Sequence, residues 1–358
     1  MTSSSSIPSA AMPPKPAAAG FAMPAEWEPH AATWMAWPPP NRTFGPDGSE
    51  TLAEARRAWA RVANTVVKYE PLTMLTAPGQ SAGARRLLDP RVSVVEHPID
   101  DAWMRDTGPT FLTDGQGELA AVDWVFNGWG AQEWARWERD QHVAEGVAGL
   151  SGARRFASRL VNEGGGIHVD GQGTVLLTET VQLDPARNPG WTKAEVEAEL
   201  HAFLGTRRAI WLPRGLTRDY GPFGTRGHVD IVAAFVHPGV VVAHAQPDPA
   251  HPDFEVCREN LRLLRSSTDA SGRRLEVVEL VAPTVTEVDG EPVDFSYVNH
   301  YLCNGAVVLC AFDDPSDEVN ARVFAELFPQ RRVELVDARP IFAAGGGIHC
   351  ITQQQPEV

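Results

Sequence analysis

The chain has 358 residues, of which 43% are hydrophobic and 22% charged, enough for a deep core, and it carries a formal net charge of -15. That acidity excludes nucleic acid as the expected partner, because phosphate binding needs clustered Lys and Arg, and it favours encounter with small cations instead. Four cysteines (Cys257, Cys303, Cys310 and Cys350) make neither a disulfide framework nor a paired zinc-ligand spacing, which suits free thiols in a reducing compartment.

Residues 1–22 open as "MTSSSSIPSAAMPPKPAAAG", a Ser/Pro/Ala-rich stretch expected to be a disordered tail, with no signal-peptide pattern. No run approaches the roughly 20 apolar residues of a spanning helix, so no membrane partner is expected and the protein reads as soluble and cytoplasmic. From Met23 to Val358 no linker interrupts the composition, and a single catalytic domain is expected. "TLAEARRAWARVANTVVKY" predicts an amphipathic helix, followed by strands in "PLTMLTAP" and "RVSVVEHP". "TVLLTETVQL" reads as strand, and "TKAEVEAELHAFLG" as a helix capped by Thr192 and ended by Gly205. Two hairpins follow, "HVDIVAAFVHPGVVVAHA" turning at Pro238-Gly239 and "YVNHYLCNGAVVLCAF" turning at Asn304-Gly305. "SDEVNARVFAELFP" predicts a helix with Ser316 as its cap. The rhythm of strand pair, helix and strand is that of an α/β fold built from recurring units.

Three places carry chemistry. In "GHVD", read as the head of a strand, His228 and Asp230 fall on one face. In "DDAWMRDTGPTFL", Asp106 stands beside Trp103, so a flat cation such as guanidinium finds two oxygens to grip and a ring to cover it. The third is a glycine turn written twice, as "EGGGIHVDG" (163–171) and as "GGGIHCITQQQP" (345–356). Three consecutive glycines allow close backbone approach and deliver the next residue into a crowded centre. The later copy places Cys350 where the earlier has Val169, and a thiol with a base elsewhere in the chain is a candidate nucleophile. A metal shell drawn from His168, Asp170, His228, Asp230 and Cys350 is the rival reading, and no ligand spacing supports it.

The runs "MPAEWEPHAATWMAWP", "WMRDTGPTF", "FNGWG", "EGGGIHVDG", "GHVD" and "GGGIHCITQQQP", in this order from Met23 to Pro356, resemble the agmatine deiminases and their Porphyromonas-type peptidylarginine deiminase relatives. These belong to the guanidino-group-modifying (pentein) superfamily. The resemblance implies a single-domain, five-bladed pseudo-symmetric α/β propeller of ββαβ repeats, with the glycine turn as a repeat element. It implies Cys350 as nucleophile, His228 as general acid and base whose imidazolium lowers the thiol pKa, and Asp106 and Asp230 as the guanidinium clamp. Glu163 orients His228 and binds the substrate edge, and Trp103, Trp124 and Gly345 complete the expected substrate-binding set. The implied reaction is hydrolysis of agmatine to N-carbamoylputrescine and ammonia through a covalent thiouronium, with no cofactor and no metal. Free or peptidyl arginine and guanidinoalkylamines are alternative substrates, an amidinotransferase is an alternative activity, and the subunit number is open, a homo-oligomer included. Two departures from the family pattern bear on the substrate: Gly224, Thr225 and Arg226 precede the "GHVD" run, and no asparagine precedes Ile348. Arg226 is read as repelling an amine, as receiving a carboxylate, or as facing solvent.

Overall fold

The computed structural model describes residues 15–288 and 290–358. Five of the six sheets among the described residues repeat one pattern, in which a first strand runs antiparallel to a second, and the second parallel to a third. In the first unit β1 (His30–Ala36), β2 (Leu72–Thr76) and β3 (Ser93–Glu96) supply the last three strands. The second unit is β4 (Thr110–Thr113), β5 (Leu119–Val125) and β6 (Arg154–Val161), and the third is β7 (Ile167–Val169), β8 (Thr174–Thr178) and β9 (Arg208–Leu212). The fourth is β10 (Ala233–His237), β11 (Val240–Ala245) and β12 (Glu276–Val281), followed by a small ribbon of β13 (Glu287–Val288) and β14 (Glu291–Pro292). The fifth is β15 (Tyr301–Cys303), β16 (Ala306–Ala311) and β17 (Arg332–Asp337). The last strand, β18 (Gln353–Pro356), pairs antiparallel with β1, from Trp34 opposite Gln353 to His30 opposite Pro356, and so completes the first unit.

Each parallel pair needs a crossover, and each unit uses a helix for it: Glu50–Val66, Val143–Ser151, Lys193–Leu204, Asp253–Ser266 and Ser316–Leu327. The result is the expected α/β propeller of five ββαβ units. Burial shows which way the sheets run. The first strands are almost wholly buried, β7 and β15 at every residue, whereas β3 has only exposed and half-buried residues and β12 and β17 bury one residue each, Leu280 and Val336. First strands therefore line the centre, and helices cover the outside. The helix Glu50–Val66 buries Leu52, Ala55, Trp59, Val62 and Val66, a three-to-four-residue stripe, and Ser49 caps it by accepting the Leu52 N–H.

The helix Lys193–Leu204 has the predicted ends. Thr192 Oγ1 accepts from Glu195 N, Glu195 returns a bond to Thr192 N at 2.8 Å, and Gly205 ends the helix at φ 69°. Thr192→Ala is expected to cost about 1 kcal/mol of stability in urea unfolding while leaving turnover per folded molecule unchanged.

Four local readings change. "GHVD" is not a strand head: Val229–Ile231 is a 3-10 turn and β10 begins at Ala233. "TVLLTETVQL" is strand only to Thr178, after which Glu179–Gln182 is helical. Ser316 is the first residue of its helix rather than its cap, since Pro315 holds that place and Asp314 Oδ1 accepts the Ser316 N–H. The boundary expected at residue 22 lies further back: Pro16–Ala19 is a 3-10 turn, Phe21 is buried against Phe156, and Ala22 bridges to Thr113. Residues 1–14 of the expected tail lie outside the described residues. Among the described residues no helix is long and apolar enough to cross a membrane.

Candidate active site

In each unit the chain enters its first strand through a connection from the preceding unit, and these five connections meet at the centre. Met104–Thr107 carries Asp106 ahead of β4, and Glu163 precedes β7. His228 and Asp230 precede β10, Asn299 precedes β15, and Cys350 sits in a 3-10 turn just before β18. All six side chains are buried. The two glycine turns are the same point of two repeats, ahead of β7 and of β18.

Their middle glycines show why no side chain fits there. A Cβ on Gly165 would lie 2.6 Å from His228 Nδ1 and 3.0 Å from both Asp106 Oδ1 and Asp230 Oδ2. A Cβ on Gly346 would lie 2.8 Å from the Trp103 ring and 3.0 Å from Cys350 Sγ. One turn thus brings His228, Asp106 and Asp230 around a point, and the other brings the Cys350 thiol under an aromatic wall.

The polar groups are held from behind. Asp106 accepts from Gly165 N at 3.0 Å and from Trp129 Nε1 at 2.9 Å. Glu163 is gripped by Arg187 Nε, 3.0 Å from each oxygen, and accepts from His228 Nε2 at 3.3 Å. The loop that presents His228 is tied by Asp219, which accepts from Thr225 N and Gly227 N, both at 2.6 Å. Asp230 Oδ2 accepts from His349 Nδ1 at 2.8 Å, and His349 Nε2 reaches Glu26 at 2.9 Å. The Cys350 thiol faces Asp230 Oδ2 at 3.6 Å. Two buried polar atoms of this group, Asp230 Oδ1 and His228 Nδ1, have no hydrogen-bond partner among the described residues.

Burial alone would lower the His228 pKa, but Asp106, Glu163 and Asp230 outweigh it and raise the imidazole to about 9. Burial, with Asp230 and Glu163 nearby, pushes Asp106 up to about 6. Glu163 falls to about 2 because Arg187 and His228 overcome its burial. Asp230 is lowered, against burial, by its hydrogen bond and charge attraction to His349. The Cys350 thiol goes the other way from expectation: burial and the charges of Asp230 and Asp106 raise it well above the ordinary thiol value. The carboxylates beside the sulfur oppose its ionisation.

Trp103 stands where expected, packed on Phe44 and Trp59 with its ring over the later glycine turn. Gly345 adopts φ 119° and fits under the Phe223 carbonyl, 2.6 Å from where its Cβ would be. Trp124 is a correction. It lies within β5, packs on Phe203 at 5.5 Å between ring centroids, and donates to Thr110 Oγ1, so it belongs to the packing between units. The tryptophan that reaches the site is Trp129, in the turn beyond that strand. Arg226 adopts φ 71° and bonds Asp184 at 3.1 Å, the same carboxylate that holds Arg187 at 2.9 Å. It therefore braces the Glu163 support while half exposed. The rival metal shell does not assemble, since Asp170 spends its oxygens on Gln172 and Thr174 and His168 accepts from Phe235 N.

Sequence reasoning missed Arg187, Trp129, His349 and Asn299. The signal that could have found His349 is the "IH" shared by both glycine turns, and for Asn299 it is the similar "NH" pair at 299–300, ahead of β15.

The family described as Porphyromonas-type peptidyl-arginine deiminase matches residues 22–356. The chain belongs to this family. A protein of Streptomyces avermitilis named "Putative agmatine deiminase" is 67% identical over 344 residues, covering 96% of this chain and 99% of that one. The agmatine deiminase of Pseudomonas aeruginosa is 41% identical over 364 residues, covering 95% and 97%. Among solved structures, the agmatine deiminase of Enterococcus faecalis matches with a TM-score of 0.90 at 32% identity, over 96% of this chain and 98% of that one. The deiminase family resemblance carried by the six motifs is thus borne out along the whole matched region, and so is the fold it implied.

Proposed function

We propose that this deiminase hydrolyses a guanidino C–N bond through Cys350, and that its substrate is agmatine, converted to N-carbamoylputrescine and ammonia. The observation that carries the reading is the pair of buried, unpartnered atoms Asp230 Oδ1 and His228 Nδ1, beside the Cys350 thiol and the Asp106 carboxylate. A planar cation with N–H groups on its edges satisfies the carboxylates and neutralises their field.

The thiol is protonated at rest, and the arriving guanidinium cancels the carboxylate charges that oppose ionisation, so its proton leaves to solvent. The thiolate adds to the guanidinium carbon, and the C–N π electrons settle on nitrogen. His228, an imidazolium held by Glu163, gives its free proton to the departing amine, and ammonia leaves behind a thiouronium. The neutral imidazole then takes a proton from water as the oxygen adds to the same carbon. Collapse breaks the C–S bond, the sulfur recovers a proton from the new hydroxyl, and the ureido product is released. The step uses only groups of this chain and water.

Because kcat/KM reports the free enzyme, it should rise as Asp106 ionises near pH 6, keep rising less steeply because each attack gives up the thiol proton, and level off near pH 9, where the loss of the His228 proton offsets the gain in thiolate. A pH profile of ammonia release checks this, and Asp106→Asn should remove the bend near pH 6. A bend near pH 6 that persists in that variant refutes the assignment. The substrate is tested by ammonia release from agmatine, free arginine, arginyl peptides and longer guanidinoalkylamines. Agmatine failing while another guanidine succeeds keeps the chemistry and changes the substrate.

A further inference from the structure

Every unit of the propeller delivers at least one polar side chain to the centre from the connection entering its first strand. Asp106, Glu163, His228 with Asp230, and Cys350 account for four units, and each has a role above. The fifth unit delivers Asn299, whose side chain is fully buried.

The orientation of its amide is set by its neighbours. Oδ1 accepts from the backbone N–H of His349 at 2.9 Å, which only an oxygen can do. Nδ2 is therefore the atom 3.2 Å from Cys350 Sγ, and its second proton is directed to the Asp230 carbonyl at 3.3 Å. The other polar side chain against the sulfur is the Asp230 carboxylate, which opposes a negative charge there. An N–H aimed at a buried sulfur among carboxylates is worth most when the sulfur is charged.

We propose that Asn299 is a catalytic residue that donates Nδ2–H to the Cys350 thiolate, at attack on the guanidinium carbon and again when the C–S bond of the thiouronium breaks. It stabilises the sulfur twice in one turnover, as nucleophile and as leaving group, and takes no proton itself. The inference rests on the reading of Cys350 as nucleophile.

Asn299 also holds the turn at His349 through Oδ1, so the test separates donor from acceptor. Asn299→Asp keeps the acceptor and loses the N–H, while Asn299→Ala loses both. The readouts are kcat/KM for agmatine from pH 6 to 9, the pH dependence of Cys350 alkylation by iodoacetamide, and thermal melting. As donor, Asn299→Ala should lower kcat about 10²-fold and move the alkylation profile to higher pH. Asn299→Asp should be low throughout, or fall with rising pH as a carboxyl O–H that replaces the N–H is lost. An Asp variant with the wild-type profile, or an Ala variant with unchanged alkylation, overturns the proposal. Should Asn299→Asp not fold, Asn299→Ala alone decides by the alkylation shift. Turnover surviving in Cys350→Ala would instead remove the nucleophile reading on which this one stands.

Discussion

Cys350→Ala is expected to lower kcat by at least about 10⁴-fold while leaving agmatine binding measurable by calorimetry. The clamp does not depend on sulfur: Asp106 is held by Gly165 and Trp129, Asp230 by His349, and Glu163 by Arg187. What is lost is the atom that bonds to the guanidinium carbon. Water cannot replace it well, because a resonance-stabilised cation calls for a soft, strong nucleophile and the surrounding carboxylates already satisfy its charge. The variant should therefore accumulate bound substrate rather than product, and rapid-quench mass spectrometry should find no mass added at residue 350. A variant that releases ammonia at near-normal rates would end the covalent scheme.

Gly165→Ala is expected to cost about 10²-fold or more in kcat/KM with a smaller effect on stability. The added methyl meets His228 Nδ1 at 2.6 Å and oxygens of Asp106 and Asp230 at 3.0 Å, so at least one of the three buried groups must shift. None of those groups is the tip of a free side chain: His228 is tied to Glu163, Asp106 to Trp129 and Asp230 to His349. Gly149→Ala is the internal control. It lies in the helix Val143–Ser151 with nothing within 4 Å of an added Cβ, so stability should rise by about 0.5–1 kcal/mol and kcat/KM should hold. Equal kinetic losses in both variants would show that the effect is general loosening rather than a collision at the centre.

Local signals in the chain were clearest where chemistry is short-range. The cap at Thr192, the Asn304-Gly305 hairpin and the stripe of the helix Glu50–Val66 need only near neighbours, and they are found as read. The doubled glycine turn exposed the repeat, and with it the placing of Glu163 and Cys350 at matching points of two units. What escaped are groups whose meaning depends on contacts far along the chain. Arg187 looks like a loop cation until Glu163 is seen on its guanidinium, and His349 looks like a spacer until Asp230 and Glu26 are seen on its two nitrogens. The thiol pKa was misjudged for the same reason. The imidazolium of His228 was weighed, but the carboxylate 3.6 Å from sulfur was not.

The pairing of β18 with β1 clasps the last described strand to the first, and Cys350 rides on that clasp, three residues before Gln353. On a ribosome, Asp106, Glu163, His228 and Asp230 all emerge before that sulfur is synthesised. Closing the ring and seating the thiol beside Asp230 therefore fall to the same short stretch of chain, and a copy stopped ahead of it would carry the four polar groups without the sulfur.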